Sequence, residues 1–336
     1  MSPAYRTASL RAGHPDFLDL PWDRNLSEWE GSTDRLERIP TGESRHVVVF
    51  VNYDGRVFAL KQLPPGLAEK EHGLLRGMKK LNLPVVESVG HIATETPDGE
   101  QSVLVTRYLD RSLPYNLLFL RGRLERYRDH LLDAMANLLV QLHLAGVYWG
   151  DCSLFNTLFR RDAGTLQAYL VDAETSEIHP SLGEGKRQYD VDVMEENVCG
   201  GLADLDAMGA LPPGFDVLGA GQWVRHRYEQ LWYEITREEV LGADEAYRIQ
   251  DRVRGLNQLG FSVGELDLRT VDDGRRLHLR AQVTDRNFHR GLLQTLTGLD
   301  AEEMQARLLV NEIRELKFGL SRDRNQSVAL SIAAFR

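Results

Sequence analysis

The chain has 336 residues, 42% of them hydrophobic, enough for a core of ordinary size and for two domains, since single cores stop growing near roughly 250 to 300 residues. Its formal net charge of −10 disfavours broad binding to a nucleic-acid backbone, which needs clustered Lys and Arg to displace counterions. Two cysteines, Cys152 and Cys199, lack Cys or His partners at ligand spacing, which argues against a disulfide framework or a zinc site and for a reducing cytoplasm; no stretch approaches the roughly 20 apolar residues of a spanning helix.

Residues 1–38 are polar with isolated aromatics around "DFLDLPWDRNLSEW" and read as an extension packed on a neighbouring surface. "SRHVVVFVNYDGRVFALKQL" then predicts a hairpin, two β-branched and aromatic runs around a glycine turn. Leu67, Leu74, Leu75, Met78 and Leu81 recur at helical spacing and the pattern ends before Pro84, so a helix follows. "VVESVGHIATETPDGEQSVLVTRYL" alternates as two more strands around "PDGE", and Pro114 closes an irregular crossing segment.

From about Asn116 to Leu144 an apolar stripe through Leu131, Leu132, Met135, Leu138, Leu139 and Leu142 predicts a helix with a buried face. The segment "HLAGVYWGDCSLFNTLF" comes next, then "AYLVDAE", a polar loop and a further helical pattern over "YDVDVMEENVCGGLADLDAM". "LPPGFDVLGAG", residues 211–221, breaks both periodicities and is the candidate boundary. Beyond it the pattern predicts two helices, two strands around "DDG" and two closing helices, a small α+β unit.

Phosphoryl transfer asks little covalent chemistry of a protein. It needs the triphosphate held, its charge offset by Mg²⁺, and an acceptor hydroxyl placed beside a carboxylate. The chain offers a candidate for each part. Asp151 and Asn156 lie in a loop after a buried helix, and Asp172 ends an apolar strand. Lys61 ends the strand "RVFAL", and Glu71 sits on the helix after it, placed to reach that lysine. Singly, each has a duller role: an aspartate after glycine commonly caps a turn, and Lys61 and Glu71 taken alone are surface charges. Their order on suitable elements is what carries the reading.

"GDCSLFN" followed by "LVDAE" resembles the catalytic and metal-binding loops of the protein-kinase-like superfamily, in particular its lipopolysaccharide-kinase-like branch. The whole chain also resembles an uncharacterised actinobacterial family with a kinase-like front half and a C-terminal domain of unknown function. The resemblance implies an α+β chain: a bilobal protein-kinase-like fold over residues 39–210, with a β-rich N-lobe (39–108) and an α-rich C-lobe (109–210), plus an α+β C-terminal domain over 222–336.

It also implies roles. Asp151 would accept the acceptor proton, Asn156 and Asp172 would bind Mg²⁺, Lys61 would hold the ATP phosphates, and Glu71 would orient Lys61. Gly42, Ser44 and Arg45 in "PTGESRH" would cover the phosphates, and the segment from Thr106 through Tyr108 to Leu109 would be the hinge beside adenine. The expected activity is ATP- and Mg²⁺-dependent phosphorylation of a hydroxyl on a small molecule, sugar, lipid-linked headgroup or protein.

The departures from the family pattern suggest a rival. Trp149 stands where the family usually has His, Asp172-Ala173-Glu174 replaces Asp-Phe-Gly, and Gly42 alone serves a loop that elsewhere carries two or three glycines. The rival is a nucleotide-binding pseudokinase or regulatory protein whose C-terminal domain binds a protein or nucleic-acid partner; under either reading that domain is expected to recruit a protein partner or mediate self-association. His143 and Cys152 read as structural residues.

Overall fold

The computed structural model describes residues 5–39, 45–119, 124–242, 244–272 and 275–324. The chain divides into two compact units, Met1–Arg160 with Ala168–His226, and Arg161–Gln167 with Arg227–Arg336.

The first unit opens with β1 (Thr7–Leu10), a short 3-10 turn (Leu26–Glu28) and β2 (Leu36–Glu37), followed by the hairpin β3 (Val48–Tyr53) and β4 (Arg56–Leu63). The β3–β4 turn places Asp54 at φ +53° and Gly55 at φ +78°, the doubly left-handed backbone that matches the twist of a two-residue hairpin, and the Asn52 side chain accepts the Gly55 N–H at 2.9 Å. Helix α1 (Leu67–Lys80) buries Ala68, Glu71, His72, Leu75 and Met78, so a carboxylate shares its core-facing side with the apolar residues. Strands β5 (Ser88–Thr96) and β6 (Gly99–Arg107) complete a sheet of order β1-β5-β6-β4-β3-β2.

Two of those strands come from the residues before 39. β1 pairs antiparallel with β5, and the chain after it drops Phe17, Leu20, Trp22, Leu26 and Trp29 into one cluster with Val51, Phe58, Leu60, Val89, Ile92, Val103 and Val105. Trp22 and Trp29 meet edge to face at 5.1 Å between ring centres, and Trp22 Nε1–H donates to Phe17 O at 2.8 Å, which satisfies the one polar atom of a buried indole.

After the sheet come β7 (Ser112–Pro114), α2 (Tyr115–Phe119) and α3 (Leu124–Leu144), whose Leu131, Leu132, Met135, Leu138, Leu139 and Leu142 are all buried as the stripe predicts. β8 (Val147–Tyr148), β9 (Thr157–Asp162), β10 (Thr165–Leu170) and β11 (Glu177–Ile178) are short. They form a β10-β9-β7 sheet and a β11-β8 pair. Helix α4 (Glu184–Ala207) buries Asp190, Val191, Met194, Val198, Leu202 and Leu205. Helix α5 runs Val217–Thr236.

In the second unit, β12 (Glu239–Gly242), β13 (Val263–Val271) and β14 (Arg276–Val283) make a sheet of order β12-β14-β13, with α6 (Tyr247–Gln258) between the first two strands in sequence. Helices α7 (Phe288–Thr297) and α8 (Glu303–Arg324) pack through Leu293, Ala306, Val310 and Ile313. Asp162, on the hairpin tip that groups with this unit, accepts the Met304 and Gln305 N–H groups at 2.7 and 2.8 Å and so caps α8. Among the described residues no helix is long and apolar enough to cross a membrane.

Candidate active site

A cavity of about 840 Å³ lies within the first unit, and its lining includes Lys61, Thr106, Tyr108, Asp151, Asn156 and Asp172. Those residues come from β4, the β6 end, the loop after β8 and the loop after β10, so positions far apart in the chain share one wall. Arg45 and His46 line it too. Gly42 and Ser44 lie outside the described residues.

Lys61 sits near the end of β4 with its ammonium 2.6 Å from Asp172 Oδ2 and 3.3 Å from Glu71 Oε2. Glu71 is fully buried on α1, and its other oxygen accepts the Ala173 N–H at 3.1 Å, so the helix is tied at once to the strand lysine and to the residue after Asp172. Burial works against the Lys61 charge, but the Glu71 and Asp172 carboxylates outweigh it and hold its pKa above the ordinary value. Burial pushes the Glu71 carboxyl up to about 7 against the pull of Lys61, with Asp172 adding repulsion. The two directions have one cause: one cation serves two carboxylates in a desolvated cluster, so the lysine keeps its proton and the deeper acid strains to gain one.

Asn156 and Asp172 are brought side by side by the backbone, because Val171 N–H donates to Asn156 O at 3.1 Å. The Asn156 side-chain nitrogen donates to the Asp151 carbonyl at 3.1 Å. Its bond closes the loop from Asp151 to Asn156 and commits the amide nitrogen, leaving the oxygen end of the amide as the ligand atom a cation would use. Asp172 Oδ1 accepts the Glu174 N–H at 3.1 Å.

The loop carrying Asp151 is held from beneath by Asp190. That fully buried carboxylate accepts the Trp149 N–H at 2.7 Å, the Gly150 N–H at 2.8 Å and His143 Nε2–H at 3.1 Å. Burial lowers the His143 pKa despite the neighbouring Asp190, consistent with a neutral ring that donates one hydrogen bond. Gly150 has φ +83°, and a Cβ there would stand 3.1 Å from both Thr175 Cβ and Thr175 O, so the residue before Asp151 has to be glycine-like. Trp149 ties the two loops by its backbone instead of its ring: its carbonyl accepts from Thr175 Oγ1 at 2.8 Å and Ser176 Oγ at 3.3 Å. Cys152 is fully buried, and burial, then Asp190, push its thiol well up, which leaves it no role as a nucleophile.

Sequence reasoning did not single out Asp190 or Asn197, whose Nδ2 donates to Asp151 Oδ1 at 3.2 Å. A signal for the first was present: Asp190, Met194 and Val198 fall on one helical face, and an aspartate in an apolar stripe needs buried partners. At the proposed hinge, the Arg107 and Tyr108 N–H groups are taken by Glu87 O at 2.8 Å and Val57 O at 2.9 Å, so base recognition there falls to atoms beyond those two donors.

Residues 57–206 match the lipopolysaccharide kinase (Kdo/WaaP) family. The matched stretch contains Lys61, Glu71, Asp151, Asn156 and Asp172. Residues 230–336 match a domain of unknown function (DUF4032). A solved structure described as WaaP in complex with acyl carrier protein is 18% identical, covers 60% of this chain and 89% of that one, and superposes with a TM-score of 0.38. No curated protein matches the chain.

Proposed function

We propose that the protein is an ATP- and Mg²⁺-dependent phosphotransferase of the cytoplasm that phosphorylates a hydroxyl. The observation that carries this reading is the meeting of Lys61, Asp151, Asn156 and Asp172 on the wall of one cavity. Lys61 holds the α- and β-phosphates and Glu71 holds Lys61. Arg45 reaches from the covering loop, where it now pairs with Asp151 Oδ2 at 3.5 Å, towards the phosphate end.

The residues present suit magnesium. Among the described residues no three His, Cys, Asp or Glu side chains gather into a cage of their own. Magnesium needs no such cage, because it is usually bound through one or two protein oxygens together with the substrate phosphates and water. Asp172 and Asn156 supply hard oxygen donors of that kind, and Asp172 is the carboxylate in direct contact with Lys61. When bound, the ion offsets the triphosphate charge that builds on the leaving group.

In the reaction, the acceptor hydroxyl oxygen forms a bond to the γ-phosphorus as the bond from that phosphorus to the β,γ-bridging oxygen breaks, with ADP leaving. The hydroxyl proton passes to the Asp151 carboxylate. Replacing Asp151 with Ala lowers turnover by roughly 10² to 10⁴-fold, the range for loss of a general base, while nucleotide affinity stays close to wild type. The test is phosphate transfer from ATP across an acceptor screen. Equal turnover with and without the Asp151 carboxylate removes the assignment, and nucleotide binding with no transfer from the wild-type protein favours the pseudokinase reading.

A further inference from the structure

We infer that Asn197 is a positioning residue for phosphoryl transfer, holding the Asp151 carboxylate in the orientation that meets the acceptor hydroxyl. The inference rests on the phosphotransferase reading and extends it to a residue on a different element. Asp151 hangs from a loop by a short side chain with two rotatable bonds, and a base that swings between rotamers spends part of its time out of reach of the hydroxyl.

Among the described residues two groups touch its oxygens. Arg45 lies 3.5 Å from Oδ2, but its side chain is 79% exposed, and such a contact is weak and screened by solvent. Asn197 Nδ2 lies 3.2 Å from Oδ1 in a half-buried setting on α4, a 24-residue helix, and lines the cavity with Asp151, Ser153 and Phe155. A carboxylate only accepts, so the nitrogen end of the amide must face it.

The placement on α4 gives the contact its purpose. Asn197 follows Asp190 by seven positions, about two helical turns, so both project from one face of α4. Asp190 fixes the backbone N–H groups of Trp149 and Gly150, and Asn197 fixes the side chain of the next residue, Asp151. One rigid helix therefore sets both the path of the loop and the direction of its carboxylate. A neutral amide also does this without cancelling the carboxylate charge, as a lysine or arginine at the same point would.

The experiment measures phosphate release from ATP with Mg²⁺, water serving as the acceptor, for the full-length wild type, Asn197→Ala and Asn197→Asp. Aspartate keeps the shape of asparagine but cannot donate when ionised and repels Asp151. Both variants are expected to lose about 10 to 100-fold in kcat, the usual cost of removing an orienting partner, with the KM for ATP within about twofold of wild type. Melting temperatures establish that each variant is folded, and where one is not, the other decides.

Unchanged kcat in a folded variant overturns the inference, as does a KM for ATP that rises while kcat holds, because that would place Asn197 in nucleotide binding. Failure of both variants to fold also overturns it, by assigning the amide to stability. Wild-type protein that neither hydrolyses ATP nor transfers phosphate across the acceptor screen strikes the phosphotransferase reading first and this inference with it, whereas normal wild-type turnover with normal variants strikes only the inference.

Discussion

Asp190 reaches across forty-one positions of sequence to accept the Trp149 N–H at 2.7 Å. With Gly150 N–H on its other oxygen, this buried carboxylate decides where the loop before Asp151 can run. Asp190→Asn keeps the shape but turns an NH₂ group towards at least one donor. The variant should lose about 1 to 3 kcal/mol, the cost of leaving a buried donor unsatisfied. A urea titration reads this as a lower midpoint, and a midpoint equal to wild type would contradict the anchoring role.

Lys61 is the only cation in contact with both Glu71 and Asp172 among the described residues. In Lys61→Met the two carboxylates face each other without a counter-charge, and under the proposed function the ATP phosphates lose a preorganised donor. ATP turnover should fall by about 10² to 10³-fold, the range for removing one electrostatic contact made in the transition state. Steady-state rates with saturating nucleotide check this, and a loss below about fivefold would mean that the phosphates sit elsewhere.

His72 predicts an acid-sensitive fold. Burial first, then His91, Arg76 and Arg11, lower its pKa from 6.5 to about 4. The unfolded chain therefore takes up a proton as pH drops below 6.5 while the folded protein resists until about 4, so the stabilisation is whole above the upper value and is lost progressively across that window. His72 Nδ1 lies 2.7 Å from Ser88 Oγ, a bond that a glutamine can replace without titrating. His72→Gln should lose less stability than wild type between pH about 7.5 and about 5 in urea titrations. Parallel losses in the two proteins would remove His72 as the cause.

Trp22 tests whether the residues before 39 belong to the sheet's core. It is 1% exposed and wedged against Trp29. Trp22→Ala should cost about 3 to 5 kcal/mol, as removal of a buried large aromatic does. Thermal unfolding reads the loss, and a change below about 1 kcal/mol would make the segment a dispensable attachment.

Much of this architecture could be read from text because its signals are local. The β3–β4 hairpin follows from "NYDG", α3 from its leucine stripe, and the Asp151 to Asn156 loop from a short motif whose glycine is demanded by φ and by Thr175. What escaped depends on tertiary packing. Phe17, Trp22 and Trp29 have no helical or strand period, so nothing in their spacing says that they fill a core. β12 is four residues long, too short for alternation to register.

The stretch read as a break at 211–221 contains the first turns of α5, which starts at Val217. Gly221 is there for contact, since a Cβ would lie 2.2 Å from Cys199 Sγ, and a glycine used for close approach looks in sequence like one used to end a helix. Asn197 is the hardest case. A polar residue on a half-buried helix face has no local mark, and its meaning appears only when Asp151 is found beside it.

The central claim is that Asp172 and Asn156 present their oxygens to a magnesium ion carried by ATP while Asp151 stands at the acceptor side. A crystal structure with Mg²⁺ and a non-hydrolysable ATP analogue tests it most directly. The account predicts a cation at about 2.0 to 2.1 Å from an Asp172 carboxylate oxygen and the Asn156 amide oxygen, with the triphosphate against Lys61. Nucleotide bound outside this cavity, or bound inside it with both oxygens out of reach of the ion, would contradict the account.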